Sequence, residues 1–453
     1  MATLDYHSSP PVPPELPQGK SDPLVRKRQL AWILNDWAGS GFGMIGIGVV
    51  FSSYFTSSLA PEHLIDGAVR RGLMVAGKLI PADGVFALLT AASAFLVVLT
   101  APVMGAIADI KGWGKPLYIG TSVAGALVAM TMCVLDPGEW KTAAVLYVLA
   151  SFCFISSLTF YNAFLPLLAP NSRQGRLSGF GFAAGYIGGA LAVIAGVFLL
   201  KPFLGVKGVL FFGGLWWLVF AIPSFLLMPV SPPQNRPRLR KWLVAEGFVR
   251  VGHTFANIKT YRMLFLFLVA FLIYSNGIDT VINVSPAWTT EVLKVTGEQN
   301  TLIFLCVQFV AMPGAILCGF LADKFGNKPV IIVTLMIWCV LVTATPFVPS
   351  IAAFVVVACG LGLVLGGVQS SSRAMMARLA PAEIRNEAFG FFSLSGKAVS
   401  IVGPVFYSAV STIMGSKWAV IAVVPFLVVG LLIMLKVKEP KASTTSLASP
   451  MES

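Results

Sequence analysis

Apolar residues along this chain come in runs of about 20, separated by short polar stretches, and each run is long enough to cross a ~30 Å hydrocarbon core as a helix. The runs predict twelve spans, at 31–55, 86–108, 116–135, 143–168, 178–200, 209–228, 263–287, 301–321, 329–347, 352–371, 387–412 and 417–435. An even number puts both termini on one side of the bilayer. The longest polar interruption, 229–262, opens with a proline-rich stretch that breaks helices and divides the chain into a six-helix bundle at 31–228 and a second at 263–435. Within it Leu239, Trp242, Val249, Phe255 and Ile258 recur at near-helical spacing among Arg240, Lys241, Arg250 and Lys259. That pattern suggests an amphipathic helix on the inner surface, with a solvated linker as the alternative. Residues 1–30 read as a disordered tail and 436–453 as a second tail.

Composition sets the class. The chain is 57% hydrophobic and 11% charged, with a mean hydropathy of +0.83, against roughly a quarter charged for soluble domains. An all-α protein embedded in a lipid bilayer is expected. The net charge of +13 would suggest nucleic acid if the basic residues were clustered, but their placement gives another reason. With the termini in the cytoplasm, 23 of the 32 Lys and Arg fall on the inner side and 8 outside, and Lys397 lies within a span. This is the positive-inside bias, so no nucleic-acid partner is implied. The six cysteines lie in apolar runs without CxxC spacing, which points to neither disulfides nor a zinc site. Phosphate-binding loops, HExxH and GxSxG are missing from the sequence, so an enzyme or ATP-driven pump is disfavoured and no cofactor or metal is expected.

Two markers repeat at nearly one offset. Gly105, Asp109, Gly112, Lys115 and Pro116 after the second span match Gly319, Asp323, Gly326, Lys328 and Pro329 after the eighth. Leu168-Ala169-Pro170 with Arg176 and Phe180 matches Leu379-Ala380-Pro381 with Arg385 and Phe389. A duplicated half is how many carriers place a site between two bundles. Gly105 and Gly319 allow helices to approach. Asp109 and Asp323 can meet Arg, Lys or a helix N-terminus of the opposite half, latching the inner face through partners such as Arg176, Arg373 and Arg385; a capped turn is the simpler use.

The Gly-x-x-x-Asp-x-x-Gly pattern at both loops resembles the signature of the major facilitator superfamily, which implies two pseudosymmetric six-helix bundles. Asn35-Asp36-Trp37-Ala38-Gly39, Tyr161-Asn162-Ala163-Phe164, the stretch from Ser178 to Gly189, Gly367-Val368-Gln369 with Arg373, and Phe391 to Ala398 with Gly403-Pro404 are closer still. Together they resemble the branch containing the vacuolar amino-acid effluxers of autophagy and bacterial relatives of unassigned substrate. One departure stands out. Where that branch has Tyr-Asn-Asp-Gly, this chain has Tyr274-Ser275-Asn276-Gly277 and an acid at Asp279. The resemblance implies export or release of amino acids or similar small organic solutes across a membrane, the cytoplasmic membrane if the source is bacterial and the vacuolar membrane if it is eukaryotic.

Charges inside lipid normally face a cavity or a partner. Asp36 lies ~9 Å inside the inner boundary, Lys397 ~15 Å and Asp279 ~24 Å along their helices. Lys397 is expected to bind a substrate carboxylate or pair with an acid. Asp36 could carry a proton or brace the first span, and Asp279 could approach the outer interface. Asn35, Tyr161, Asn162, Asn276 and Gln369 offer neutral hydrogen-bonding groups at span depth, for solute or for helix contacts. The expected partners are a small-molecule substrate, protons and lipid, with the chain working as a monomer. The rivals are a drug or metabolite effluxer, which a mainly apolar cavity would favour, and a non-transporting membrane scaffold or signalling protein, which would not need Asp36 and Lys397 within spans.

Overall fold

A cap fixes where the first helix begins. The Asp22 carboxylate accepts from the Leu24 amide at 2.9 Å and Pro23 occupies the first helical position, so α1 (Pro23–Phe42) starts inside the segment expected to be a disordered tail. The computed structural model describes residues 22–65, 68–75, 78–231, 242–397 and 402–440. The remainder of both tails, and Leu239, Arg240 and Lys241 of the linker, lie outside the described residues.

From α1 the helical run continues through π turns to Leu59. Three short strands follow, β1 (Glu62–Ile65), β2 (Ala68–Val75) and β3 (Lys78–Pro81), an antiparallel meander pairing Glu62 with Arg71 and Leu73 with Ile80. This small sheet is an addition to the all-helical expectation. The first half is completed by α2 (Ala82–Lys111), α3 (Gly114–Thr131), α4 (Trp140–Asn162), α5 (Gln174–Val193) and α6 (Lys201–Leu227). The linker carries α7 (Leu243–Ala256), and the second half comprises α8 (Arg262–Val292), α9 (Gly297–Phe325), α10 (Asn327–Ala344), α11 (Ile351–Leu379), α12 (Arg385–Lys397), α13 (Val402–Met414) and α14 (Val424–Lys436).

Ten helical segments among the described residues are long and apolar enough to span a membrane. One of them, 171–227, has 57 residues and would measure ~86 Å if straight, nearly three times the hydrocarbon core. It is two spans. The chain turns at Gly205, whose φ of 64° is open to glycine and strained for other residues. The eleventh expected span, 387–412, is described as α12 and α13 on either side of 398–401, which lie outside the described residues.

The duplication seen in the sequence governs how the halves meet. The second helix of each half packs on the fifth of the other: α2 on α12, and α9 on α5. Both seams are glycine-lined and backbone-close. A Cβ on Gly105 would stand 2.4 Å from the Asn386 carbonyl oxygen, and one on Gly390 2.6 Å from that of Ala101. Across the second seam, a Cβ on Gly179 would stand 2.5 Å from the Ala315 oxygen and one on Gly319 2.8 Å from that of Gly175. Helices this close leave no room for a side chain at either seam.

The linker helix α7 docks its polar side. Glu246 and Gly247 are buried against α2, where a Cβ on Gly247 would meet Val103 Cγ1 at 2.8 Å, and Arg250 pairs with Glu246 at 2.9 Å. Trp242, Val244 and Phe248 point outward and are exposed. Residues of this chemistry at a bilayer surface sit at the headgroup boundary.

Candidate functional site

Each seam is closed by an aspartate. Asp109, at the termini-side end of α2, accepts from the backbone amides of Asn386 and Glu387 at 3.1 and 3.0 Å and from Asn386 Nδ2 at 2.7 Å. These are the free N–H groups at the start of α12, where the helix dipole also favours a carboxylate. Asp323, at the matching end of α9, accepts from the Gly175 and Arg176 amides at 2.9 and 3.2 Å and from Arg176 Nε at 2.8 Å. Both aspartates therefore bind the N-terminus of a helix in the opposite half, one of the two arrangements expected. The remaining latch candidates separate. Arg385 does not donate to Asp109 among the described residues, because the backbone of its own helix fills that role. Lys115 and Lys328 stay within their halves, capping the carbonyls of Met228 at 2.8 Å and of Leu435 at 2.8 Å at the end of each sixth span.

A further tie was not expected from the sequence. Glu439, just beyond α14, accepts from the Asn327 and Lys328 amides at 3.0 and 2.9 Å, capping α10, and pairs with Arg378 at 2.5 Å. Arg378 in turn donates to the Asn171 carbonyl of the first half at 2.6 Å. Replacing Glu439 with Ala removes a cap and a charge partner together. It is expected to lower stability by about 1–3 kcal/mol, read as a fall in the melting temperature of the detergent-purified protein.

Arg373 corrects the sequence expectation most sharply. Hydropathy ends the tenth span at 371, which puts Arg373 at the inner face as a topology anchor or latch partner. In fact α11 continues to Leu379, and Arg373 is 3% exposed, on the floor of a cavity between the halves. Its guanidinium meets the Asp36 carboxylate of α1 at 2.8 Å. Ser178 holds it from α5, through Oγ at 3.0 Å and the carbonyl at 2.9 Å. The faces of Trp32 and Phe182 lie 4.5 and 4.2 Å from it. Stacking of this kind stabilises a guanidinium taken out of water. The Asn162 side-chain oxygen completes the shell at 3.4 Å. One residue of the second half is thus bound by three helices of the first.

Above this pair rises a cavity of about 400 Å³, reaching toward the ends of α8, α9 and α10 on the face opposite the termini. Its walls are mainly apolar and aromatic, among them Met44, Phe154, Leu158, Val307 and Phe354. Asp36, Asn162 and Gln369 line it as candidates from the sequence, and the Gln369 carboxamide oxygen accepts from Tyr186 Oη at 2.7 Å. Asn35 and Tyr161 do not line it. Asn35 accepts from Tyr118 Oη at 2.6 Å, and Tyr161 stacks on Trp32 at 4.8 Å while donating to the Trp32 carbonyl at 2.8 Å. Asn35 turns away from Asp36 on α1 and braces that helix, whereas the Tyr161 hydroxyl lies within hydrogen-bonding reach of Asp36 and its ring is 5.9 Å from the Arg373 guanidinium. Asn276 faces Gly403 of α13, and Asp279, half-buried on α8, is likewise off the cavity wall. The side chain of Lys397 lies outside the described residues. Gln308 and Trp338, both on the cavity wall, were missed in the sequence, since neutral groups inside apolar runs look like core.

A family model described as "Vacuole effluxer Atg22 like" matches residues 25–446. The chain belongs to this Atg22-like family. Among its relatives, an uncharacterized MFS-type transporter of Bacillus subtilis (strain 168), YxiO, is 28% identical over 434 residues, covering 93% of this chain and 97% of the relative. Autophagy-related protein 22-1 of Penicillium rubens is 22% identical, over 77% and 74% of the two chains. Among solved structures, the human organic anion transporter MFSD10 (TETRAN) superposes with a TM-score of 0.69 at 12% identity, covering 91% of this chain and all of the other. The major facilitator proton:xylose symporter XylE superposes with a TM-score of 0.68 at 15% identity, over 92% and 97%. The fold is therefore the major facilitator fold, and this Atg22-like chain is an integral membrane protein of the transporter class rather than an enzyme.

Proposed function

We propose that the chain is a secondary active transporter that moves a small organic solute, an amino acid or similar metabolite, across its membrane toward the side holding its termini, as release from a vacuole would, with protons coupled through Asp36. The observation that carries this is the Asp36–Arg373 pair on the cavity floor. A buried pair between two halves that must rock apart has to be broken in every cycle, and separating it uncompensated costs about 3–5 kcal/mol. Protonating Asp36 removes one charge and lowers that cost. A gradient that delivers a proton to the cavity thereby favours opening on the termini side. The Asp109 and Asp323 contacts close that side while the cavity loads.

The basic excess on the termini side supports a cytoplasmic placement of that face. Amino acids are what the resemblance in the sequence implies, efflux is supported by the family's name, and the cavity is of a size for a small solute. The apolar walls favour, within the same mechanism, a solute with a bulky apolar body, and leave effluxers of less polar metabolites as the second reading. A scaffold protein would have no use for a charged pair at this depth.

The test is uptake of a radiolabelled amino-acid pool by proteoliposomes, with and without an inward proton gradient. Accumulation above the equilibrium level only with the gradient is expected. Lack of uptake for every member of the pool would remove the amino-acid assignment and move the search to other metabolites.

A further inference from the structure

Two donors in the cavity wall have no partner. Gln308 on α9 is 4% exposed and its amide nitrogen makes no hydrogen bond among the described residues; Trp338 on α10 is 1% exposed and its indole N–H is equally unpaired. Nearly all buried polar groups in folded proteins find partners, so two orphan donors on one wall require an explanation. Both belong to the second half and both line the cavity. A third donor accompanies them: with its oxygen taken by Tyr186, the Gln369 amide has its NH2 left for the cavity.

The charged groups do not compete for this role. Among the described residues, the cavity's charged side chains are Asp36 and Arg373, which bind each other, and the guanidinium's other contacts are to Ser178 and Asn162. No carboxylate of the second half among the described residues lines the wall. The second half therefore offers a solute hydrogen-bond donors, and among the described residues no carboxylate to hold a cation. Opposite lie Phe154 and Leu158, a surface for an apolar body.

We propose that Gln308 and Trp338 are specificity-determining residues that hold the hydrogen-bond-accepting head, a carboxylate or carbonyl, of a solute whose apolar body rests on Phe154 and Leu158. This rests on the transport function proposed above and deepens it. Selection follows from the unpaired donors: a solute with an acceptor satisfies them, and an analogue without one leaves them buried and unsatisfied, the arrangement that discriminates most strongly between similar molecules.

The probes are radiolabelled leucine and radiolabelled 4-methylpentanoate, which share an isobutyl body and an acceptor head, with unlabelled isoamylamine as the competitor lacking the head. In wild-type proteoliposomes at least one labelled probe is expected to be taken up, with 4-methylpentanoate competing and isoamylamine not. Gln308→Leu and Trp338→Phe are each expected to raise KM about tenfold, the loss of one hydrogen bond to a charged head. Their melting temperatures should stay level or rise, because each removes a buried unsatisfied group; a structural role would lower them. Unchanged KM in both variants, or isoamylamine competing as well as 4-methylpentanoate, would overturn the proposal while leaving transport intact. Uptake of 4-methylpentanoate without leucine would remove only the amino-acid assignment and support the acceptor-head rule. Uptake of neither by the wild type would overturn both, and shows in the wild type rather than in the variants.

Discussion

Asp36→Asn is expected to abolish gradient-driven accumulation while solute exchange across the membrane continues. The amide keeps the shape of the carboxylate and can still accept from Arg373, whose shell of Ser178, Trp32 and Phe182 is unchanged. It can no longer take up or release a proton. A carrier locked in the neutral form of this group would exchange solute for solute and lose coupling to the gradient. Arg373→Ala should be harsher, because it strands Asp36 without its cation in a buried site. A loss of about 3–5 kcal/mol is expected for a broken buried pair, hence poor folding or a transport rate reduced by more than 100-fold. Arg373→Lys keeps the charge but cannot reproduce the planar contacts to Trp32 and Phe182 and should fall between the two. Uptake, exchange and melting temperature on the three variants separate coupling from folding.

The second large effect lies at the seams. Gly105→Val and Gly319→Val would put side chains into the backbone of the opposing half, at Asn386–Glu387 and at Gly175–Arg176, where even a Cβ approaches to 2.4 and 2.8 Å. Neither backbone can move aside without separating α12 from α2 or α5 from α9. Both variants are therefore expected to favour the state open toward the termini, through loss of close contact and of the Asp109 and Asp323 bonds. Spin labels at Arg173 and Lys324 in a cysteine-free background should report a longer distance for most molecules in Gly319→Val than in the parent. An unchanged distance distribution would show that the seam tolerates a side chain, and that these glycines do not set the closed state.

Asp109 and Asp323 were legible in the sequence because a repeated motif identified them and because a carboxylate at a helix end has few good partners. Their use of backbone N-termini rather than the Arg385 side chain could not be told from residue types, since both satisfy a carboxylate. Asp36 was legible as a charge inside an apolar run. Its partner was not. The run Ser370 to Arg373 is polar, and hydropathy ends a span there, yet the serines are buried because α11 faces the other half rather than lipid. Hydropathy registers contact with lipid and is blind to a helix buried in protein. Asn35 shows the converse limit, for a residue adjacent to a site residue points elsewhere on a helix. The break at Gly205 and the cap supplied by Glu439 depend on where the chain returns in space, which no local pattern records.

Proton movement accompanying solute entry tests directly whether Asp36 couples transport to a proton gradient. Proteoliposomes containing a pH-sensitive dye, with no imposed gradient, would be given a solute that the wild type transports. Solute entry is expected to carry protons with it in the wild type, and Asp36→Asn to exchange the same solute with no proton signal. Solute entry without proton movement in the wild type, or an undiminished proton signal in Asp36→Asn, would contradict that coupling.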